Sequence, residues 1–254
     1  MREFFDGEIG VGTSGLGYQV FARPDELLAY MDRYHIAKAL VYDRGAVESG
    51  VFGCFASICD FCAESERLYP TISLVPPATG EQPPPDELLD IILTHGIKAV
   101  RVWPKYHQFD FDPFNFGTLL EGLAAHRVPV FYHSHGAYDH PWEHRLRWDH
   151  IRETALAFPQ LPIIVIWIGM LENRRTLPML AGCANVLTDL TCMSFQYTEY
   201  VVEQFGSNRL ILASHYPYHD PATYTTCINY SGISPEEKDA IAFGNLQQLI
   251  EEIR

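Results

Sequence analysis

IKAVRVW (97–103), VPVFYH (128–133) and PIIVIW (162–167) are three short, almost unbroken apolar runs separated by stretches of helical pattern. Runs of this length, rich in β-branched and aromatic residues, read as strands buried on both faces. That is the signature of a parallel sheet covered by helices. Working outward, NVLTD (185–189) and RLILAS (209–214) continue the series toward the C-terminus. YPTISLV (69–75), AKALVY (37–42) and EFFDGEI (3–9) continue it toward the N-terminus. Helical patterns fall between them, at about 24–34, 51–64, 86–94, 114–126, 148–158, 172–183, 197–205 and 234–253. Pro24 with Asp25 and Glu26, and Ser234 with Glu236 and Glu237, supply helix-start chemistry.

Eight strands alternating with eight helices predict a (β/α)8 TIM barrel, one α/β domain spanning residues 1–254. An open doubly wound sheet is the alternative, but no glycine-rich phosphate loop follows any strand. The proline-rich segment Pro76–Pro85 suits a surface loop rather than a domain linker.

Of the 254 residues 47% are hydrophobic and 20% charged, enough to bury a large core and too few apolar in sequence to span a bilayer. The net charge of −14 repels phosphate backbones and anionic lipid, which argues against nucleic acid or membrane as partners. An anionic small molecule remains compatible, because a local Arg or Lys outweighs a distant net field. The opening MREFFDGEIG has no basic-then-apolar leader, and a large core does not need disulfides. The six cysteines therefore read as reduced thiols and the expected location is cytoplasmic. Cys59 and Cys62 have CxxC spacing but no second ligand pair, so a structural reading is favoured.

In such a barrel the active site lies at the C-terminal ends of the strands. That rule selects Asp6 and Glu8, then Tyr42 and Asp43, Ser73, Arg101 with Trp103 and Lys105, His133 with His135, Trp167, Asp189 with Thr191, and Ser214 with His215.

At this point the motifs become familiar. VPVFYHSHG, LPIIVIWIG, NVLTDLT, RLILASHYPY and GNLQQLI resemble, in order and spacing, the fifth to eighth strands and the closing helix of the amidohydrolase-related family. The resemblance implies a barrel, a small-molecule substrate, and chemistry among hydrolases, lactonases and decarboxylases. It also implies a divalent metal and, commonly, a homodimer. The departures are as informative. The family's first strand reads Asp-x-His-x-His, and DGEIG puts Glu8 and Gly10 at the two histidine positions. Trp167 stands for the sixth-strand histidine and His215 for the eighth-strand aspartate, while His133 is kept.

A hydrolytic metal needs about three protein ligands and an open position. Glu8, His133 and His215 are the candidate set and would suit zinc, with iron also possible in ligand type. A site that has lost its metal is the competing reading, supported by the non-ligating indole of Trp167. The loop from His133 through His135 and His140 to His144 is a candidate lid, or a second metal-binding segment. Without metal, His133 and His215 can share acid–base work, oriented by Asp189 or Glu8. Arg101, Lys105 and His135 can meet an anionic substrate, and Trp103 with Trp167 can wall the pocket. An ion pair with a neighbouring acid is the structural alternative for Arg101. Tyr42 and Tyr132 read as packing residues. The expected function is a hydrolase or decarboxylase of small carboxylated or cyclic compounds with a non-standard or absent metal site. The alternative is a catalytically degenerate barrel used for binding or regulation.

Overall fold

The computed structural model describes residues 2–12, 20–51, 54–134, 147–167, 173–190 and 194–254. Eight strands form one sheet in sequence order: β1 (Phe4–Val11), β2 (Ile36–Asp43), β3 (Leu68–Leu74), β4 (Ala99–Val102), β5 (Val130–His133), β6 (Ile163–Ile166), β7 (Val186–Asp189) and β8 (Leu210–Ile211). Each pairs in parallel with the next. A helix follows every strand, so the expected (β/α)8 barrel is the observed one. The ring is completed between β8 and β1 by Gly7 N–H to the Leu212 carbonyl (2.9 Å), Gly10 N–H to the Tyr216 carbonyl (3.0 Å) and Ser214 N–H to the Asp6 carboxylate (2.8 Å).

Two hydrophobic layers result from the period-two alternation of the strands. Ile9, Val41, Ile72, Val100, Val130, Val165 and Leu210 belong to the large outer layer, with the helix residues Leu27, Met31, Leu120 and Ile151. Phe5, Leu40, Ala99, Phe131, Ile164, Leu187 and Ile211 form the inner layer. Tyr132 lies in the outer layer, as a packing residue.

One irregularity positions the site. Between Asp6 and Ile9, β1 advances three residues while β2 advances only from Ala39 to Val41. This bulge resets the alternation. A side chain on Gly7 would point inward, its Cβ 3.4 Å from the Phe131 ring and 3.2 Å from Ile211. The next residue, Glu8, nonetheless reaches Arg101 on β4.

The structure differs from the sequence expectation at several elements. β8 was expected over 209–214, but its ladder ends at Ile211, because the following backbone turns to bond β1 instead. The helix expected over 234–253 is Pro235–Asp239, a π turn at Ala240–Gly244 and Asn245–Glu251. Asn245 is anchored by hydrogen bonds to the carbonyls of Ser207 (2.7 Å) and Leu210 (2.8 Å), which fixes the second piece under the barrel. The helix Ala222–Tyr230 and the short helices Arg44–Glu48 and Pro104–His107 were not anticipated. No helix among the described residues is long and apolar enough to cross a membrane.

Candidate active site

Two buried clusters meet at the C-terminal mouth. The first is built on β1, β4 and β5. Arg101 is fully buried and spends its guanidinium on four partners. Nε–H donates to Thr71 Oγ1 (2.7 Å), Nη2–H donates to the Gly7 carbonyl (2.7 Å), and Nη1–H donates to Glu8 Oε2 and lies 3.3 Å from His133 Nε2. The guanidinium carbon sits 4.8 Å from the ring centres of both Tyr42 and Phe131. His133 stacks on Trp103, with centroids 3.4 Å apart and planes 16° from parallel, and its Nδ1 lies 3.6 Å from Glu8 Oε1. Trp103 is fixed in turn by Nε1–H donation to Ser73 Oγ (3.0 Å). A guanidinium has no lone pair, so the His133 nitrogen facing it must be the acceptor. The ring proton then sits on Nδ1, toward Glu8. Burial pushes the Glu8 carboxyl upward, with Arg101 and then His215 opposing it.

The second cluster is built on β6, β7 and β8. His215 Nε2 pairs with Asp189 Oδ2, both side chains fully buried. Asp189 Oδ1 accepts from the Trp167 backbone N–H (3.3 Å). Burial alone would lower the His215 pKa. The charge and hydrogen bond of Asp189, followed by Glu8 and Asp6, outweigh it and raise the value above the ordinary 6.5. The influence of Glu8 on His215 links the two clusters electrostatically. Trp167 stands edge-on to His215, with centroids 4.9 Å apart, and also packs on Tyr218 and His219.

Two of the three strand ends that present this cluster have left-handed backbone: φ is +62° at Trp167 and +57° at His215, a conformation also seen at the helix ends His35, Gln108 and Arg127. For residues other than glycine that conformation is strained and persists only where surrounding structure imposes it, commonly at functional sites.

The predicted residues Glu8, Arg101, Trp103, His133, Trp167, Asp189 and His215 are thus brought to one end of the barrel. Lys105 stands half-buried on the short helix that begins after Trp103. His135, His140, His144 and Thr191 lie outside the described residues. Of the two readings held for Arg101, the contact made is the ion pair with Glu8.

Sequence reasoning missed Arg44. Asp43 was selected as the end of β2, but its carboxylate caps the next helix by accepting from Gly45 N–H (2.7 Å). The side chain in the mouth is Arg44, fully buried, donating to Glu48 and to Tyr218 Oη (2.5 Å). The i,i+4 spacing of Arg44 and Glu48 was the available signal.

The mouth does not fit a divalent ion at the positions the family resemblance indicates. A Cβ on Gly10 would lie 2.8 Å from Arg44 Cδ and 2.9 Å from the Tyr42 hydroxyl, so the volume of a side chain there is taken. Glu8 and His133 are both turned onto Arg101. Among the described residues, the group whose carboxylate and imidazole donors all lie within 4.8 Å of one another is Asp110, Asp112 and His150, not Glu8, His133 and His215. Arg147 already faces that group, its Nη2 being 2.6 Å from His150 Nε2, and Asp112 Oδ1 caps the helix Pro113–His126.

The structure resembles solved barrels across essentially the whole chain. The 2,6-dihydroxybenzoate decarboxylase from Rhizobium matches with a TM-score of 0.74 at 14% identity, covering 99% of both chains. The dihydroxybenzoic acid decarboxylase from Polaromonas sp. JS666, solved with manganese and the inhibitor 2-nitroresorcinol, matches at 0.74 and 15%, covering 100% of this chain and 98% of that one. A probable 2-pyrone-4,6-dicarboxylic acid hydrolase from Acinetobacter baumannii, with citric acid bound, matches at 0.71 and 10%, covering 98% and 99%. At these identities the likeness speaks for the fold alone. No curated protein matches the sequence. The amidohydrolase family profile, however, matches residues 23–245, from before the first barrel helix to the asparagine under the floor, and on that match the chain belongs to the amidohydrolase family.

Proposed function

We propose that this chain is an enzyme, a hydrolase or decarboxylase acting on a small carboxylated or cyclic substrate at the C-terminal mouth, with Asp189 and His215 as its acid–base pair. The observation that carries the reading is the fully buried Asp189–His215 pair at the ends of β7 and β8, with His215 itself held in left-handed backbone.

His215, whose pKa the buried Asp189 carboxylate raises above the ordinary value, is the group of the pair that carries the proton to be transferred. In decarboxylation that proton goes to the carbon that loses carbon dioxide, leaving substrate-H and CO2. In ring-opening hydrolysis it goes to the leaving oxygen as the ring C–O bond breaks, while an attacking water adds its hydroxyl to the carbonyl carbon and its remaining proton restores that of His215. His133, backed by Arg101 and Glu8, is the second titratable group, able to accept a proton on the nitrogen that faces Arg101 only if that contact loosens. Trp167 supplies an aromatic wall for a planar ring, and Lys105 offers charge to a carboxylate. The solved decarboxylases and the dicarboxylic acid hydrolase of the same fold act on compounds of this class by their names, which supports the choice of substrates to try. No divalent metal is assigned to the mouth.

The test is turnover of a panel of hydroxybenzoates, lactones and pyrone carboxylates by the purified chain. At least one should be consumed. His215→Ala and Asp189→Asn should each then lower kcat by about 10²–10⁴-fold, the range for losing an acid–base group, with the fold intact by circular dichroism. Unchanged turnover in both variants rejects the assignment.

A further inference from the structure

We infer that the Arg101 guanidinium is the resident cation of this barrel, taking the place of a divalent ion between Glu8 and His133. This rests on the proposed site being at the mouth, though not on any particular substrate. Four observations converge. Glu8 Oε2, a carboxylate oxygen suited to a metal, accepts from Arg101 Nη1–H. The His133 nitrogen facing the same Nη1 at 3.3 Å has its lone pair directed at a guanidinium N–H, so it cannot at once bind a metal. The remaining guanidinium nitrogens are fastened to Thr71 and Gly7, and the aromatic faces of Tyr42 and Phe131 lie against the cation. The Gly10 position offers no ligand, and its side-chain volume is filled by Tyr42 and Arg44.

A guanidinium differs from a metal ion in ways that matter to chemistry. It carries one fixed positive charge, does not deprotonate in proteins and does not dissociate. It offers no open coordination position, so it generates no metal-bound hydroxide. What it supplies is a fixed positive charge that balances Glu8 and holds Glu8 and His133 in place at the floor of the mouth.

The test reads metal, not turnover. Wild type, Glu8→Gln, Arg101→Met and the double variant are each incubated with zinc or manganese, desalted and assayed for retained metal by elemental analysis. Wild type and Glu8→Gln should retain equal amounts, and any ion held at Asp110, Asp112 and His150 cancels in the comparison. Arg101→Met releases Glu8 and His133 from the guanidinium as a two-ligand set, so zinc should raise its melting temperature, an effect lost in the double variant. A Glu8-dependent equivalent in wild type overturns the inference, as does a folded Arg101→Met whose melting temperature zinc does not raise. If Arg101→Met does not fold, the wild-type against Glu8→Gln comparison decides alone. Either failure leaves the Asp189–His215 assignment standing, because that is read from kcat.

Discussion

His215 holds its proton against the cost of burial, and the sign of the resulting pH dependence follows. Its folded pKa lies above the ordinary 6.5, so folding favours the protonated form. The stabilisation is fully present below about pH 6.5, the unfolded value, and is lost as pH rises through the folded value. Urea unfolding from about pH 6 upward should show wild type losing stability relative to His215→Asn, by up to about 1.4 kcal/mol per pH unit inside that window. Parallel curves for the two proteins would show that the pair does not hold the proton. At Gly10 a methyl group would press on Arg44 and Tyr42, so Gly10→Ala should cost about 1–3 kcal/mol, readable in the same denaturation. At this scale the sequence disclosed residue types at strand ends and little about their pairing. His133, Asp189 and His215 were legible because apolar runs deliver them to the mouth. The Glu8–Arg101 contact, 93 residues apart in sequence, was not, since a bulge decides which way Glu8 points. Arg44 escaped by one position, because the capping role of Asp43 is a property of the turn.

The central strands were legible as elements because burial on both faces leaves no polar interruption. Their ends were not. β8 stops after two residues through a backbone turn that no composition rule announces. The helix Ala222–Tyr230 went unread because ATYTTCINY carries β-branched and small polar residues in place of strong helix formers. Side chains that tie elements together matter correspondingly. Asn185, just before β7, donates through Nδ2 to the carbonyls of Ala155 (3.1 Å), Phe158 (3.0 Å) and Leu161 (2.9 Å), at the end of the helix Trp148–Ala157 and in the turn that leads from it into β6. Asn185→Leu strips those part-buried carbonyls of their donor and should cost about 1–3 kcal/mol, measured as a lower urea midpoint.

For the molecule as a whole, a charge of −14 sets the dominant long-range force. Self-repulsion at that charge destabilises the compact state, and salt screens it over about 10 Å at 0.1 M. The melting temperature should therefore rise, not fall, between low salt and about 0.5 M sodium chloride; a fall would mean that surface ion pairs outweigh repulsion. The last consequence concerns how the circle of strands is joined. Every neighbouring pair from β1 to β8 is joined by a parallel ladder, unbroken from β3 to β7, whereas the final joint depends on a few scattered bonds around Gly7, Gly10 and the Asp6 carboxylate. A hoop parts at its clasp. In native-state hydrogen exchange the amides of Gly7 and Gly10 should trade with deuterium sooner than those of β4 to β6, and each such breath would loosen the footing of Glu8, making the rate of that breathing a built-in limit on how long the mouth stays in order.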